Sequence, residues 1–181
     1  RFGRISPTRA EHVRAEFPDS DLLILDGGPS AVGLESTIVD LSGEQPRLLR
    51  PGSIRISQIE ALIGPVLRPA DSEGPRASGR LIAHYAPSKS LALIGEAEMA
   101  QSLAANPAAL WLTPGALQPG MRGLALSEQP DAYARELYGA LRALDTQLGT
   151  QILVLLPPQG EQWAAVHDRL SRAAAGSGQG G

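Results

Sequence analysis

The sequence predicts an α/β protein in two parts, a mixed first part followed by a small Rossmann-like parallel-sheet domain. Three observations carry that expectation. From Leu91 onward, short apolar runs alternate with stretches of helical period, the pattern of a parallel sheet with helices on its faces. Before it, between residues 65 and 87, periodicity lapses and Pro65, Pro69, Gly74, Pro75, Gly79 and Pro87 punctuate the chain, as at a domain boundary. Hydrophobic residues make up 43% of the 181 but aromatics only 4%, so the core is built mainly from Leu, Ile, Val and Ala.

Taken in order, Ser6-Pro7-Thr8 followed by Glu11 reads as the opening of a helix that runs to about Phe17 and stops at Pro18-Asp19, because hydroxyls cap free N–H groups and proline suits a first turn. DLLILDGG, Asp21 to Gly28, reads as a short apolar strand ended by a Gly-Gly turn. Ser36 to Leu41 is a β-branched strand, and PRLLRPG gives another that closes at Pro51-Gly52. ISQIEALIG reads as a helix with Ser57 as its cap and Gly64 as its stop. Past the boundary, Leu91 to Ile94 is a strand, EAEMAQSLAA a helix, and ALWL and GLALS two more strands. DAYARELYGALRALDTQ is the longest helix, with Pro130 before its start and Gly149 after its end. QILVLLP is a buried strand, EQWAAVHDRLSRAAA the last helix, and GSGQGG a disordered tail. The expected boundaries are residues 1–70 for the first part, 71–90 for a linker, 91–175 for the parallel-sheet domain and 176–181 for the tail.

Composition excludes several kinds of chemistry. With no cysteine there is no disulfide, thiolate zinc site or cysteine nucleophile, which suits the cytoplasm. A net charge of −3 argues against a wholly basic nucleic-acid coat. No apolar run approaches the ~20 residues of a membrane span. The three histidines, at 12, 84 and 167, lack metal-ligand spacing, and neither a Walker loop, a GxGxxG turn nor a GxSxG elbow occurs.

What remains is a set of polar residues, each with two readings. Ser6 and Thr8 open a helix, so they either cap it or help hold an anion at its free N–H groups. In GLESTIVD, Glu35, Ser36 and Thr37 stand at the mouth of a strand, as ordinary strand residues or as hydroxyls for a small ligand. Arg50 ends a strand just before a Pro-Gly turn, as a surface ion pair or as a fork for phosphate or carboxylate. His84-Tyr85, in SGRLIAHYAPSKSL, occupy a segment where a plain linker needs neither residue; they either pack between domains or close over a ligand.

The order of these motifs is more specific than any one of them. SPTxAEHV, DGG, GLESTIVD, LLRPG, HYAP, LYxxLRxLD and DRLxRAA follow one another here, and that succession resembles the two-domain threonylcarbamoyl-AMP synthases, the YrdC-type family, from about Arg1 to Ala175. The resemblance implies that residues 1–70 are the second half of a twisted open α/β catalytic domain of the YrdC type and that residues 71–90 are a lid. It implies a nucleotidyltransferase that joins L-threonine, bicarbonate and ATP into threonylcarbamoyl-AMP and pyrophosphate, for threonylcarbamoyladenosine modification of tRNA. Ser6, Arg50 and Tyr85 would contact ATP and Ser36 would contact L-threonine, with Thr37 and His84 beside them. Magnesium would travel with the ATP, with no tightly bound cofactor, and tRNA-modification proteins would be the partners.

The family's early Lys/Arg motif and its Ser-Ala-Asn segment precede the SPT turn and are not among these residues. The expectation is therefore a C-terminal portion cut inside the catalytic domain, lacking synthase activity alone and exposing an apolar face where half a sheet is unpaired. The alternatives are a non-catalytic RNA-binding module, a nucleotide-sensing domain over residues 91–175, and a second domain that only stabilises lid and fold.

Overall fold

The computed structural model describes residues 2–68, 77, 79 and 81–178. Much of the stretch expected to open the linker, and the last three residues of the expected tail, lie outside these. The first part holds a short helix α1 (Ala10–Glu16), a two-stranded antiparallel pair β1 (Ile38–Asp40) and β2 (Arg47–Arg50), and helix α2 (Ile56–Ile63). The second part holds β3 (Leu91–Ile94), α3 (Met99–Ala105), β4 (Leu110–Pro114), β5 (Arg122–Leu126), α4 (Pro130–Thr146), β6 (Ile152–Leu155) and α5 (Ala164–Gly176). Its four strands are all parallel, in the order β3-β6-β4-β5.

Strand alternation sorts the sheet's side chains between two layers. Leu110, Leu112, Ile152 and Val154 face a core shared with Tyr133, Leu137, Leu141 and Leu144 of α4 and Val166, Leu170 and Ala173 of α5. Trp111 and Leu153, one residue out of step, face the opposite way onto Met99 and Leu103 of α3. Sheet and helices thus form the three layers that the alternation in sequence implies. The larger core does not end at the domain boundary: Ile5 and Tyr85 are buried in it. At the same place Arg4 and Ala86 form a parallel bridge, with the Ala86 N–H donating to the Gly3 carbonyl at 2.9 Å.

Several elements differ from the reading of the sequence. Residues 21–28 form no strand; Leu23 and Leu25 are 83% and 86% exposed. A strand needs a partner for its N–H and C=O groups, and none of the described strands lies beside this run. Leu62 of α2 is also 86% exposed. Helix α1 starts at Ala10 rather than at the Ser6–Thr8 turn, and Arg9 caps it with no side-chain hydrogen bond. Ser57 lies inside α2, which begins one residue earlier; the Gln58 side chain caps the Arg55 N–H instead. The Ser57 N–H and hydroxyl both donate to Glu161, at 2.7 Å each, a link from α2 to the parallel-sheet domain. The last helix reaches Gly176, and the Leu91 N–H donates to the Ser177 hydroxyl at 2.9 Å, so the expected tail begins as ordered structure.

Candidate functional site

Four short segments meet where the first part touches α4 and α5, and Glu35 is at their centre. Its carboxylate accepts from the Ser6 hydroxyl at 2.5 Å, the Tyr138 hydroxyl at 2.8 Å and the Arg169 Nε at 2.9 Å. Burial pushes the Glu35 carboxyl upward. The hydrogen bonds from Ser6, Arg169 and Tyr138, with the charge of Arg169, outweigh that and hold it below the ordinary carboxylate value. Tyr138 sits mid-helix in α4, is buried, and is pushed far up by burial and by the adjoining carboxylate, so it remains a phenol donor.

Arg169 is 1% exposed. One of its terminal nitrogens donates to the Pro51 carbonyl at 3.0 Å and the Glu35 carbonyl at 3.4 Å, and another pairs with Asp168. Its guanidinium also lies over the Tyr85 ring, 5.3 Å from the centroid, a cation–π contact. Asp168 in turn accepts from Arg172, which donates to the Leu81 carbonyl at 2.9 Å. Two rows of α5 side chains, one turn apart, therefore hold both the first part and the chain leading into His84-Tyr85.

Arg50 ends β2 with its guanidinium folded back on the ESTIVD segment. Nε donates to the Ser36 carbonyl at 3.0 Å and Nη2 to the Ser36 hydroxyl at 3.4 Å. Its other edge approaches Gly79 and the Tyr85 hydroxyl: a Cβ at Gly79 would lie 3.2 Å from Arg50 Nη1 and 1.8 Å from the tyrosine oxygen. With φ +77°, Gly79 supplies both the turn and that close approach.

Tyr85 has φ +61°, a left-handed backbone that non-glycine residues rarely adopt. Such strain amounts to about 1–3 kcal/mol and persists where surroundings over-determine it, commonly at ligand clamps. Here the ring stacks on Tyr138 with centroids 5.6 Å apart, and the buried hydroxyl has no hydrogen-bond partner among the described residues. Burial raises the phenol, against the opposing charges of Arg169 and Arg50. Burial lowers His84; Glu35 opposes the shift, and the charges of Arg172, Arg169 and Arg50 add to it. Its Nδ1 accepts the Tyr85 N–H at 2.9 Å, and its ring meets Phe2 edge-on.

Of the residues singled out in the sequence, Ser6, Ser36, Arg50 and Tyr85 fall in this one cluster, with His84 at its border. Thr37 does not join it: its hydroxyl donates to the Ile54 carbonyl at 2.7 Å. Thr8 does not either, its hydroxyl and N–H lying against the His12 ring. Glu35 was singled out only as a strand-mouth residue. Tyr138 and Arg169 were visible only as letters of LYxxLRxLD and DRLxRAA. In those motifs Arg142 reaches the Ile5 and Ser6 carbonyls and Glu16, and Asp145 accepts from Ser88 and Lys89. The spacing of Tyr138, Arg142 and Asp145 along one helix face was the available signal.

A parallel-sheet domain whose helices α4 and α5 hold a cluster of hydroxyls, arginines and one strained tyrosine from the first part defines a mixed α/β protein. Residues 54–175 match the family described as threonylcarbamoyl-AMP synthase, C-terminal domain, and the chain belongs to that family. Residues 1–52 match a second family, described as telomere recombination. The chain is 33% identical to the threonylcarbamoyl-AMP synthase of Bacillus subtilis over 96% of its own length and 55% of that protein's. Its fold is similar to that of Pyrococcus abyssi Sua5 complexed with L-threonine, with TM-score 0.77, 28% identity, and 97% of this chain and 56% of that one covered. It is similar also to a P. abyssi Sua5 carrying adjacent His→Ala and Tyr→Ala substitutions, with TM-score 0.77 and 25% identity. The chain thus spans about half the length of these relatives.

Proposed function

We propose that this chain is part of an L-threonylcarbamoyladenylate synthase, which makes threonylcarbamoyl-AMP and pyrophosphate for the threonylcarbamoyladenosine modification of tRNA. The observation that carries the reading is the convergence of Ser6, Ser36, Arg50 and Tyr85, from four separate motifs, on one cluster around Glu35 and Arg169. In this reading Ser36 receives L-threonine, while Ser6, Arg50 and Tyr85 contact ATP, supplied as its magnesium complex. His84-Tyr85 form the working tip of the linker.

The chemistry asks little of any nucleophilic side chain. The threonine amine attacks bicarbonate, water leaves, and a carbamate forms. A carbamate oxygen attacks the α-phosphorus, and the bond to the pyrophosphate leaving group breaks. The protein aligns three small molecules and neutralises phosphate charge. Hydroxyls and a held guanidinium suit that task, and a strained tyrosine over the nucleotide would exclude water from a labile mixed anhydride. Among the described residues no group of three or more His, Asp and Glu is placed to hold a metal ion. No helix among them is long and apolar enough to cross a membrane.

A charge-assisted hydrogen bond contributes about 1.5–3 kcal/mol, so Arg50→Ala is expected to raise KM for ATP roughly tenfold or more in a full-length synthase containing these residues. Steady-state pyrophosphate release checks it, and an unchanged KM removes Arg50 from the site. The RNA-binding alternative predicts a tRNA mobility shift that weakens steeply with salt.

A further inference from the structure

We infer that Arg169, on the last helix of the parallel-sheet domain, is a positioning residue for the Ser6, Ser36, Arg50 and Tyr85 cluster. The inference deepens the synthase reading and takes its kinetic consequence from it, but its geometry stands apart. Arg169 touches no residue to which a substrate contact was assigned except Tyr85, through that ring's face. It acts on the others through their neighbours. Ser6 is fixed through the Glu35 carboxylate, which Arg169 and Ser6 share. Ser36 follows Glu35, whose carbonyl Arg169 also engages, and Arg50 precedes Pro51, whose carbonyl it holds at 3.0 Å. One side chain therefore bridges the loop carrying Ser36, the loop leaving Arg50, the turn carrying Ser6 and the ring of Tyr85.

The planar fork is what permits this. A guanidinium presents five donors in fixed directions, whereas an ammonium is a single point of charge. Arg169 uses its nitrogens on two carboxylates and two carbonyls and its face on the tyrosine. Arg169 itself is 1% exposed, so its donors are committed to these protein acceptors. A residue needed only to fix α5 to its own sheet has no use for these partners: α5 is already anchored by Val166, Leu170 and Ala173 in the core. The parallel-sheet domain so acts on the first part through Glu35, the Pro51 carbonyl and the Tyr85 ring.

Arg169→Lys tests this, since it keeps the charge between Glu35 and Asp168 but cannot span Glu35 and Pro51. In residues 1–181 as they stand, amide hydrogen exchange is expected to quicken roughly tenfold in segments 34–40 and 47–53, which include the paired amides of β1 and β2, while the amides of Leu112 and Val154 in the sheet keep their rates. Unchanged exchange in both segments, or a quickening spread evenly through the sheet, overturns the inference. Glu35→Gln provides a second, gentler variant: quickening confined to the same two segments supports the inference, and none in either overturns it. In a full-length synthase containing this chain, Arg169→Lys is expected to raise KM for L-threonine roughly tenfold with kcat changed less than about twofold. A fall in kcat at constant KM, the mark of a smaller folded fraction, overturns the positioning role. If the unaltered synthase releases no pyrophosphate with threonine, the functional reading fails, and the exchange experiment still decides the role of Arg169.

Discussion

Glu35→Ala is expected to lower stability by about 3 kcal/mol, and thus the melting temperature by roughly 6–12 °C for a chain of this length. Breaking a buried ion pair from one side costs about 3–5 kcal/mol because the remaining charge is left uncompensated. Arg169 keeps Asp168 as a partner, which places the expected loss at the lower end. The buried Tyr138 hydroxyl, however, loses its only described acceptor and adds to the loss. Glu35→Gln retains an acceptor oxygen and is expected to lose less.

The same residue makes a prediction about acid. The folded state lowers the Glu35 carboxyl below its ordinary value of 4.5. Its contribution to stability is therefore complete above that value and lost as pH falls through the lowered one. The stability gap between the parent chain and Glu35→Gln should narrow below about pH 4.5 and stay constant above it. Glu16 is also lowered, by the Arg142 hydrogen bond against burial, so both chains retain some acid sensitivity from that source. Chemical denaturation between pH 3 and 7 checks the difference, and a gap independent of pH would show that charge is not what Glu35 contributes.

Gly52→Ala should have an effect of similar size for a different reason. A Cβ there would lie 2.2 Å from the Thr37 nitrogen, 2.5 Å from the Ser36 carbonyl carbon and 2.8 Å from the Glu35 oxygen. All three are backbone atoms, so no side chain can swing aside. Overpacking of this kind costs typically about 1–3 kcal/mol, and relief requires the ESTIVD segment to move away from Arg50. The expected result is a melting temperature lowered by several degrees, together with loss of the Arg50–Ser36 pairing. The adjacent case for comparison is Gly43, where a Cβ meets nothing within 4 Å, and Gly43→Ala should melt near the parent. Equal melting of Gly52→Ala and Gly43→Ala would show that the close approach is not constraining.

The parallel-sheet domain was legible from its sequence because several signals agree there. β3 coincides with the expected strand Leu91–Ile94, and α4 begins at Pro130, one residue before its expected start, with proline in its first turn. Apolar period, punctuation and buried face all favour the same elements. The first part was harder because its signals conflict. DLLILDGG has the composition of a strand, yet a strand is completed by a neighbour, and composition cannot supply one. Ser6 and Ser57 have the chemistry of caps, but Glu35 and Glu161 offer each hydroxyl a charged acceptor from a distant segment, which is the stronger bond. Ser6, Ser36, Arg50 and Tyr85 were picked out by motif order. Glu35, Tyr138 and Arg169 emerge as a centre only when chain segments more than 100 residues apart are brought together.

In the proposed function, the Ser6, Ser36, Arg50 and Tyr85 cluster serves threonine-dependent adenylate chemistry. That role is tested most directly by pyrophosphate release from a full-length synthase containing residues 1–181, given ATP, magnesium and bicarbonate, with and without L-threonine. Release that depends strictly on threonine is the expected result. Release that is absent under every condition, or equal without threonine, would contradict it and leave RNA binding as the function to pursue.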